Sequence, residues 1–205
     1  MSISFKNLAF FIMICISTTF LSLTSCILQE QATTQENVKS NKTCLMIIDV
    51  QKGFVNENTK DIPSKVEKLQ HKYDYVIVTK FYNLPNSFFR KLIKWNKFGA
   101  GSLDAELAFK PKKEAMIIKK YLYTSVNKGL LNFLKSKNIK TVYLCGLDTD
   151  ICVTKNAVDL IENGIIPIVL TDYCGSNAGK AAHLNAIKTL KLYIGKDQVI
   201  TGTSM

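Results

Sequence analysis

Residues 146–159, GLDTDICVTKNAVD, put a cysteine where a thiol can be made reactive. The stretch follows an apolar run, KTVYLC, and opens a helical pattern. Cys152 is therefore expected in the first turn of a helix, where unpaired amides and the helix dipole stabilise a thiolate. Two other segments end in charge: LMIIDV reaches Asp49, and AMIIKK ends on Lys119 and Lys120. A carboxylate can accept a thiol proton as a general base, and an ammonium beside sulfur favours the thiolate. A buried free cysteine is otherwise an ordinary small hydrophobe. The nucleophile reading therefore depends on whether the three segments converge.

Convergence is a matter of the elements that carry them. Short apolar runs recur at TCLMIIDV, YVIVTKF, AMIIK, TVYLCG, IIPIVLTD and QVI, the continuous pattern of strands buried on both faces. Between them lie helical stripes: Ile62, Val66, Leu69 and Tyr73; Leu130, Phe133 and Leu134; Ala157, Leu160 and Ile161; Leu184, Ile187 and Leu190. The alternation predicts an α/β fold, three-layered and Rossmann-like, with a largely parallel sheet of about six strands and helices on both faces joined by right-handed crossovers. Such sheets bind ligands beyond the carboxyl ends of their strands. Asp49, the lysine pair and GLDTDIC all fall at that edge.

These residues resemble a known family. LMIIDVQKGFV is similar to the first-strand motif of the isochorismatase-like cysteine hydrolases, the group containing nicotinamidases, KYLYTSV to their lysine segment and GLDTDICV to their nucleophile loop. The resemblance runs from about residue 43 to the C-terminus. It implies Asp49 as base, Lys120 as the cation that poises the site, and Cys152 as the nucleophile that forms a thioester or related intermediate. The family spacing from lysine to Thr124 selects Lys120, and strand alternation turns Lys119 the other way. The resemblance also implies a cis peptide between Leu147 and Asp148, and an oxyanion hole made by the backbone amides of Asp148 and Cys152.

Departures from the family pattern narrow the chemistry. Metal-containing nicotinamidases carry histidines after the second strand, whereas this chain has VIVTKFYNLPN, with Asn83 where a histidine is expected. Its two histidines, His71 and His183, have no ligand spacing, so neither a metal nor another cofactor is expected. Isochorismate hydrolysis in the resembling family acts on a vinyl ether without using the cysteine. Retention of Cys152 therefore implies attack on a carbonyl or imine-like carbon of a small carboxamide-like molecule. Residues 86–107 resemble the variable cap of a cysteine-hydrolase subgroup, and Trp95 within them reads either as a pocket wall or as core packing of an amphipathic helix. Phe54, beyond the aspartate motif, reads as a pocket wall or as a cap on the first strand, and Tyr123, beside the lysine segment, as a further wall. Asp172, at the end of the fifth run, reads either as a second acid or as an acceptor for loop amides.

Residues 1–25 hold one charge, Lys6, and an apolar stretch that reads as a secretory signal. LTSC, residues 23–26, resembles a lipobox in which Cys26 becomes the lipidated first residue, and an uncleaved membrane anchor is the alternative. Residues 26–42 are polar and read as a flexible tether, leaving 43–205 as the hydrolase domain. Both N-terminal readings put the domain outside the cytoplasm, tethered to a membrane. The net charge of +11 is scattered rather than blocked, and no nucleic-acid motif accompanies it. Of the six cysteines, Cys44 and Cys145 read as core and Cys174 as buried or exposed. The expected partners are a small-molecule substrate and the membrane, with no nucleic acid. Homo-oligomers are common in the family, but nothing in the sequence marks an interface. A catalytically silent binding lipoprotein on the same fold is the alternative function, and a Cys152–His183 dyad the alternative chemistry. A low-pKa thiol outside the cytoplasm would also be open to oxidation.

Overall fold

The computed structural model describes residues 42–202. The expected signal, the lipobox with Cys26 and the tether up to residue 41 lie outside the described residues. No described helix is long and apolar enough to cross a membrane.

Six strands form one sheet: β1 (Cys44–Ile48), β2 (Tyr75–Phe81), β3 (Met116–Lys120), β4 (Thr141–Leu147), β5 (Ile166–Gly175) and β6 (Val199–Ile200). Their order is β3-β2-β1-β4-β5-β6, and every neighbouring pair is parallel. Five helices connect them: α1 (Ile62–Leu69), α2 (Phe88–Leu92), α3 (Lys128–Ser136), α4 (Thr154–Glu162) and α5 (Lys180–Ile194). From β1 the chain winds toward β3, and from β4 it winds the opposite way toward β6. Right-handed crossovers therefore put α1 on one face and α3, α4 and α5 on the other. This is the three-layer architecture expected from the sequence. The winding reverses between β1 and β4, so the ligand crevice opens beyond the ends of those strands.

The central strands are sealed. All five residues of β1 are buried, because its CLMII run faces helices on both sides. At the crevice β1 and β4 approach so closely that only glycine fits: Gly146 has φ +117°, and a Cβ there would sit 2.1 Å from the Ile48 carbonyl oxygen.

Three local expectations are corrected. AMIIK is not buried on both faces: β3 is the sheet edge, and Met116 and Ile117 are exposed because no strand covers them. The fifth strand runs past Asp172 to Gly175, because a register shift after Leu144 lets Gly146 and Leu147 pair with Cys174 and Gly175. On α5 the buried stripe is Ala186, Leu190 and Ile194, while Leu184 is exposed, as is Ile161 on α4. Short stripes of mixed small and large residues fix the phase of a helix only to within about one position.

Candidate functional site

The expected charges meet where the winding reverses. Asp49 follows β1 and is completely buried. Its φ is +48°, a left-handed conformation uncommon outside glycine. Thr79 on β2 holds it there: the Thr79 hydroxyl accepts the Asp49 N–H at 3.1 Å and donates to Asp49 Oδ1 at 2.7 Å. The other carboxylate oxygen lies 2.6 Å from Lys120 Nζ. Lys120 is the last residue of β3 and is buried, whereas Lys119 before it is exposed, as strand alternation requires. Lys120 Nζ also donates to the carbonyls of Leu122 (3.1 Å) and Tyr123 (2.8 Å), and to Cys152 Sγ at 3.4 Å. One ammonium thus joins the expected base to the expected nucleophile.

Cys152 sits in a π-helical turn, Thr149–Val153, that leads directly into α4. The amides of Ile151 and Val153 close this turn onto the Asp148 carbonyl, and the peptide bond between Leu147 and Asp148 is cis. Asn156, one turn further on and fully buried, anchors the site from below. Its amide group donates to the carbonyls of Cys152 (2.7 Å) and Tyr123 (3.1 Å), and its oxygen accepts from the Ser125 amide and hydroxyl. The lysine segment and the thiol turn are therefore clamped together by one side chain.

The electrostatics differ from the sequence expectation of a low-pKa thiol. Burial, and then the facing Asp49, push the Cys152 thiol well above its ordinary range, with Lys120 pulling the other way. Burial also works against the Lys120 charge, but Asp49 and Cys152 outweigh it and hold the ammonium above the usual lysine range. The resting cluster is an Asp49–Lys120 ion pair beside a protonated sulfur. A single ammonium cannot serve two anions equally, and the carboxylate takes it.

A cavity of about 310 Å³ reaches this cluster at Cys152. Phe54, Trp95 and Tyr123, the three expected walls, line it together with Phe81, Ile93 and Ile151. Trp95 stacks on Phe81 with ring centroids 5.2 Å apart, and Lys120 Nζ lies 5.5 Å from the Phe81 centroid. The wall belongs to the segment between β2 and β3. Trp95 lies beyond the end of α2 rather than on an amphipathic helix, its amide bonded to the Phe89 carbonyl. Asn83, which stands where metal-containing relatives are expected to have histidine, is turned to structure. Its side chain donates to the Trp95 carbonyl at 2.6 Å and accepts from the Ser87 hydroxyl. Gln51, fully buried, joins this segment to the sheet by bonds to both backbone groups of Phe81 and to the Ala105 carbonyl.

The remaining candidates lie elsewhere. His71 is in a short turn after α1, and His183 on α5 bonds the Thr149 hydroxyl through Nδ1 at 2.8 Å rather than Cys152. Asp172 accepts the Gly202 amide, and Cys174 is buried and unpaired with any described cysteine. Among the described residues, no group of three or more His, Cys, Asp or Glu side chains could hold a metal ion. Sequence reasoning missed Thr79, Asn156 and Gln51. Each is an uncharged polar residue beside a lysine, a pattern that reads as ordinary surface and gives no signal of burial.

Fold and site together define a class: a parallel α/β protein with a thiol, carboxylate and ammonium converging where the winding of its sheet reverses. The isochorismatase domain model matches residues 43–201. The chain is 30% identical over 148 residues to Isochorismatase family protein 1A of Dictyostelium discoideum, an alignment covering 69% of this chain and 66% of that protein's length. It is 24% identical over 176 residues to a nicotinamidase of Acinetobacter baylyi, covering 66% of this chain and 82% of the relative. An isochorismatase-like hydrolase from Alkaliphilus metalliredigens has a similar structure, with TM-score 0.68, 20% identity and coverage of 78% of this chain and 94% of the other. A nicotinamidase from Bacillus subtilis gives a TM-score of 0.67 at 22% identity, covering 78% of this chain and all of its own. The chain belongs to the isochorismatase family, a family of hydrolytic enzymes.

Proposed function

We propose that the protein is a cysteine hydrolase that cleaves the C–N bond of a small, flat carboxamide through a thioester on Cys152. The observation that carries this reading is the contact of Lys120 Nζ with both Asp49 (2.6 Å) and Cys152 (3.4 Å) at the floor of an aromatic cavity. Family membership and nicotinamidase relatives support the amide class of substrate.

In this mechanism Asp49 accepts the thiol proton as sulfur attacks the amide carbon. The C–S bond forms while the carbonyl π bond becomes an oxyanion, which the backbone amides of Asp148 and Cys152 receive, a contribution of about 3–4 kcal/mol in comparable sites. Collapse re-forms the carbonyl and breaks the C–N bond, and the proton passes from Asp49 to the departing nitrogen. Asp49 then takes a proton from water, whose oxygen attacks the thioester. The acid is released and the proton returns to sulfur. Lys120 remains charged throughout and compensates whichever of Asp49 or Cys152 bears the negative charge. A thiol that ionises only with substrate in place also suits a compartment that oxidises free thiolates.

The test is to incubate the full chain with a panel of small carboxamides, following ammonia release and the intact mass of the protein. Ammonia release with an acyl adduct on Cys152, both lost in Cys152→Ala, is the expected result. Binding without turnover by the unaltered protein would replace this reading with that of a silent binding protein.

The N-terminal reading belongs to the same proposal: cleavage before Cys26, a lipid on that cysteine, and an extracytoplasmic domain on a tether. A mature chain whose first residue is an acylated Cys26, and which Cys26→Ser leaves unprocessed, is the expected result of mass mapping in a bacterial host. A protein that retains residues 1–25 would indicate the peptide anchor instead.

A further inference from the structure

Asp148 carries a group that the reaction above does not use. Its backbone amide is assigned to the oxyanion hole, but its side chain lines the same cavity as Cys152 and is only 3% exposed. Among the described residues the carboxyl group makes one hydrogen bond, accepting the Asn177 amide on Oδ1 at 2.9 Å. It forms no ion pair with any described residue, and Lys120, behind Cys152, is bound to Asp49. The aromatic and aliphatic wall offers it nothing. No described residue donates to Oδ2, and the residue lines the cavity, so the carboxyl group has capacity left for a donor that enters the site.

We propose that Asp148 selects the substrate by charge, so that the cavity takes a carboxamide bearing an amine or similar N–H donor away from the scissile bond and rejects one bearing a carboxylate. The inference extends the hydrolase reading from amides in general to an amine-bearing class. A cation brought by the substrate compensates Asp148 as Lys120 compensates Asp49, and an anion meets a carboxyl group with no cation beside it. A site built around a hydrogen-bonding or charged group discriminates far more strongly than an apolar pocket of the same shape.

The titration of Asp148 gives a second signature. Burial drives its carboxyl up to about 7, against the Asn177 amide, with Asp150 in the π turn and Asp49 at the end of β1 adding to the rise. Cys152 lines the same cavity, Lys120 is paired with Asp49, and His183 on α5 reaches the π turn at Thr149. Preference for a cationic amide is therefore strongest above pH 7 and weakens below it, as Asp148 takes up a proton.

Binding separates this proposal from the hydrolase reading, because it is measured without turnover. On full-length Cys152→Ala, calorimetry compares benzamide, 4-(aminomethyl)benzamide and 4-carboxybenzamide at pH 8 and pH 5.5. The expected order is the aminated amide tightest, at least about tenfold over benzamide at pH 8, and the carboxylated amide weakest. The gap should narrow at pH 5.5 and close when Asp148→Asn is added, a change that keeps the backbone amide. Equal affinities, no binding of the aminated amide, or a preference that survives Asp148→Asn would overturn the proposal. If the double variant does not fold, the order of affinities and its pH dependence in Cys152→Ala decide alone. Loss of ammonia release by the unaltered protein, with the binding order intact, would sink the hydrolase reading and leave this one standing.

Discussion

The floor and the wall of the cavity are built on opposite principles. The floor is three ionisable groups at the ends of β1 and β3 and just after β4, each fixed by buried polar bonds: Thr79 to Asp49, Asn156 to the Cys152 turn, and two carbonyls to Lys120. The wall is aromatic and comes largely from the segment between β2 and β3, which contains one five-residue helix and is held by side-chain bonds of Asn83, Gln51 and Asp104. Misplacing a reacting group by about 1 Å can cost about 10²-fold in rate, so groups that transfer protons belong on rigid strand ends. Rings that only fill space tolerate displacement, and an irregular segment can supply them.

If this division holds, substitutions in the floor should abolish chemistry and substitutions in the wall should shift affinity. Cys152→Ala is expected to have the largest effect, lowering kcat by at least about 10³-fold with the fold intact by circular dichroism. A variant that kept a tenth of the activity would remove the thiol from the mechanism.

Lys120→Met probes the same floor by leaving Asp49 buried without its partner. Breaking a buried pair in this way costs about 3–5 kcal/mol, read as a lower denaturation midpoint at constant slope. Turnover should fall with it.

Asp49→Asn should separate reactivity from catalysis. Asp49 is the main charge holding the Cys152 thiol up, and Lys120 pulls it down. The variant should therefore alkylate faster at pH 7 while losing turnover for want of a base. Slower alkylation would mean that Asp49 activates the thiol already in the resting state.

Asp148 gives a prediction on stability. Its folded-state pKa is raised to about 7 from an unfolded value of 3.8. Its contribution to folding is therefore most favourable below pH 4 and is lost as pH rises to 7, where the folded protein must bury the charge. Asp148→Asn should leave stability nearly unchanged at pH 4 and raise it by a few kcal/mol at pH 8. Urea midpoints at the two pH values test this, and a variant less stable at pH 8 than the unaltered protein would contradict it.

The smallest effect is expected in the wall. Trp95→Ala should raise KM several-fold and leave kcat within about twofold, since the ring contributes contact to bound substrate and transition state alike. A fall in kcat as large as that of Lys120→Met would abolish the distinction between floor and wall.

Much of the floor is legible in the sequence. Apolar runs that end in Asp49, in Lys119 and Lys120, and in GLDTDIC report strand ends directly, because a buried parallel strand tolerates a charge only where it leaves the sheet. The wall was legible only as a set of aromatic residues in approximate places. Phe54, Trp95 and Tyr123 do line the cavity, but Phe81, at the end of β2, read as an ordinary strand residue until its stacking on Trp95 could be seen.

The sequence by itself determined the alternation of strands and helices, the parallel sheet and the identity of the groups at its edge, since these follow from local hydrophobic period and from the few residues able to carry charge. Tertiary structure alone decided three further matters. It set the state of the thiol, because a pKa depends on the competition of burial, Asp49 and Lys120 at distances no spacing encodes. It gave Asn83 its role as a strut of the wall, because side-chain amides bond whatever the fold brings near. It left Asp148 beside Cys152 without a cation, because partnership in a buried site is a property of the space around a residue.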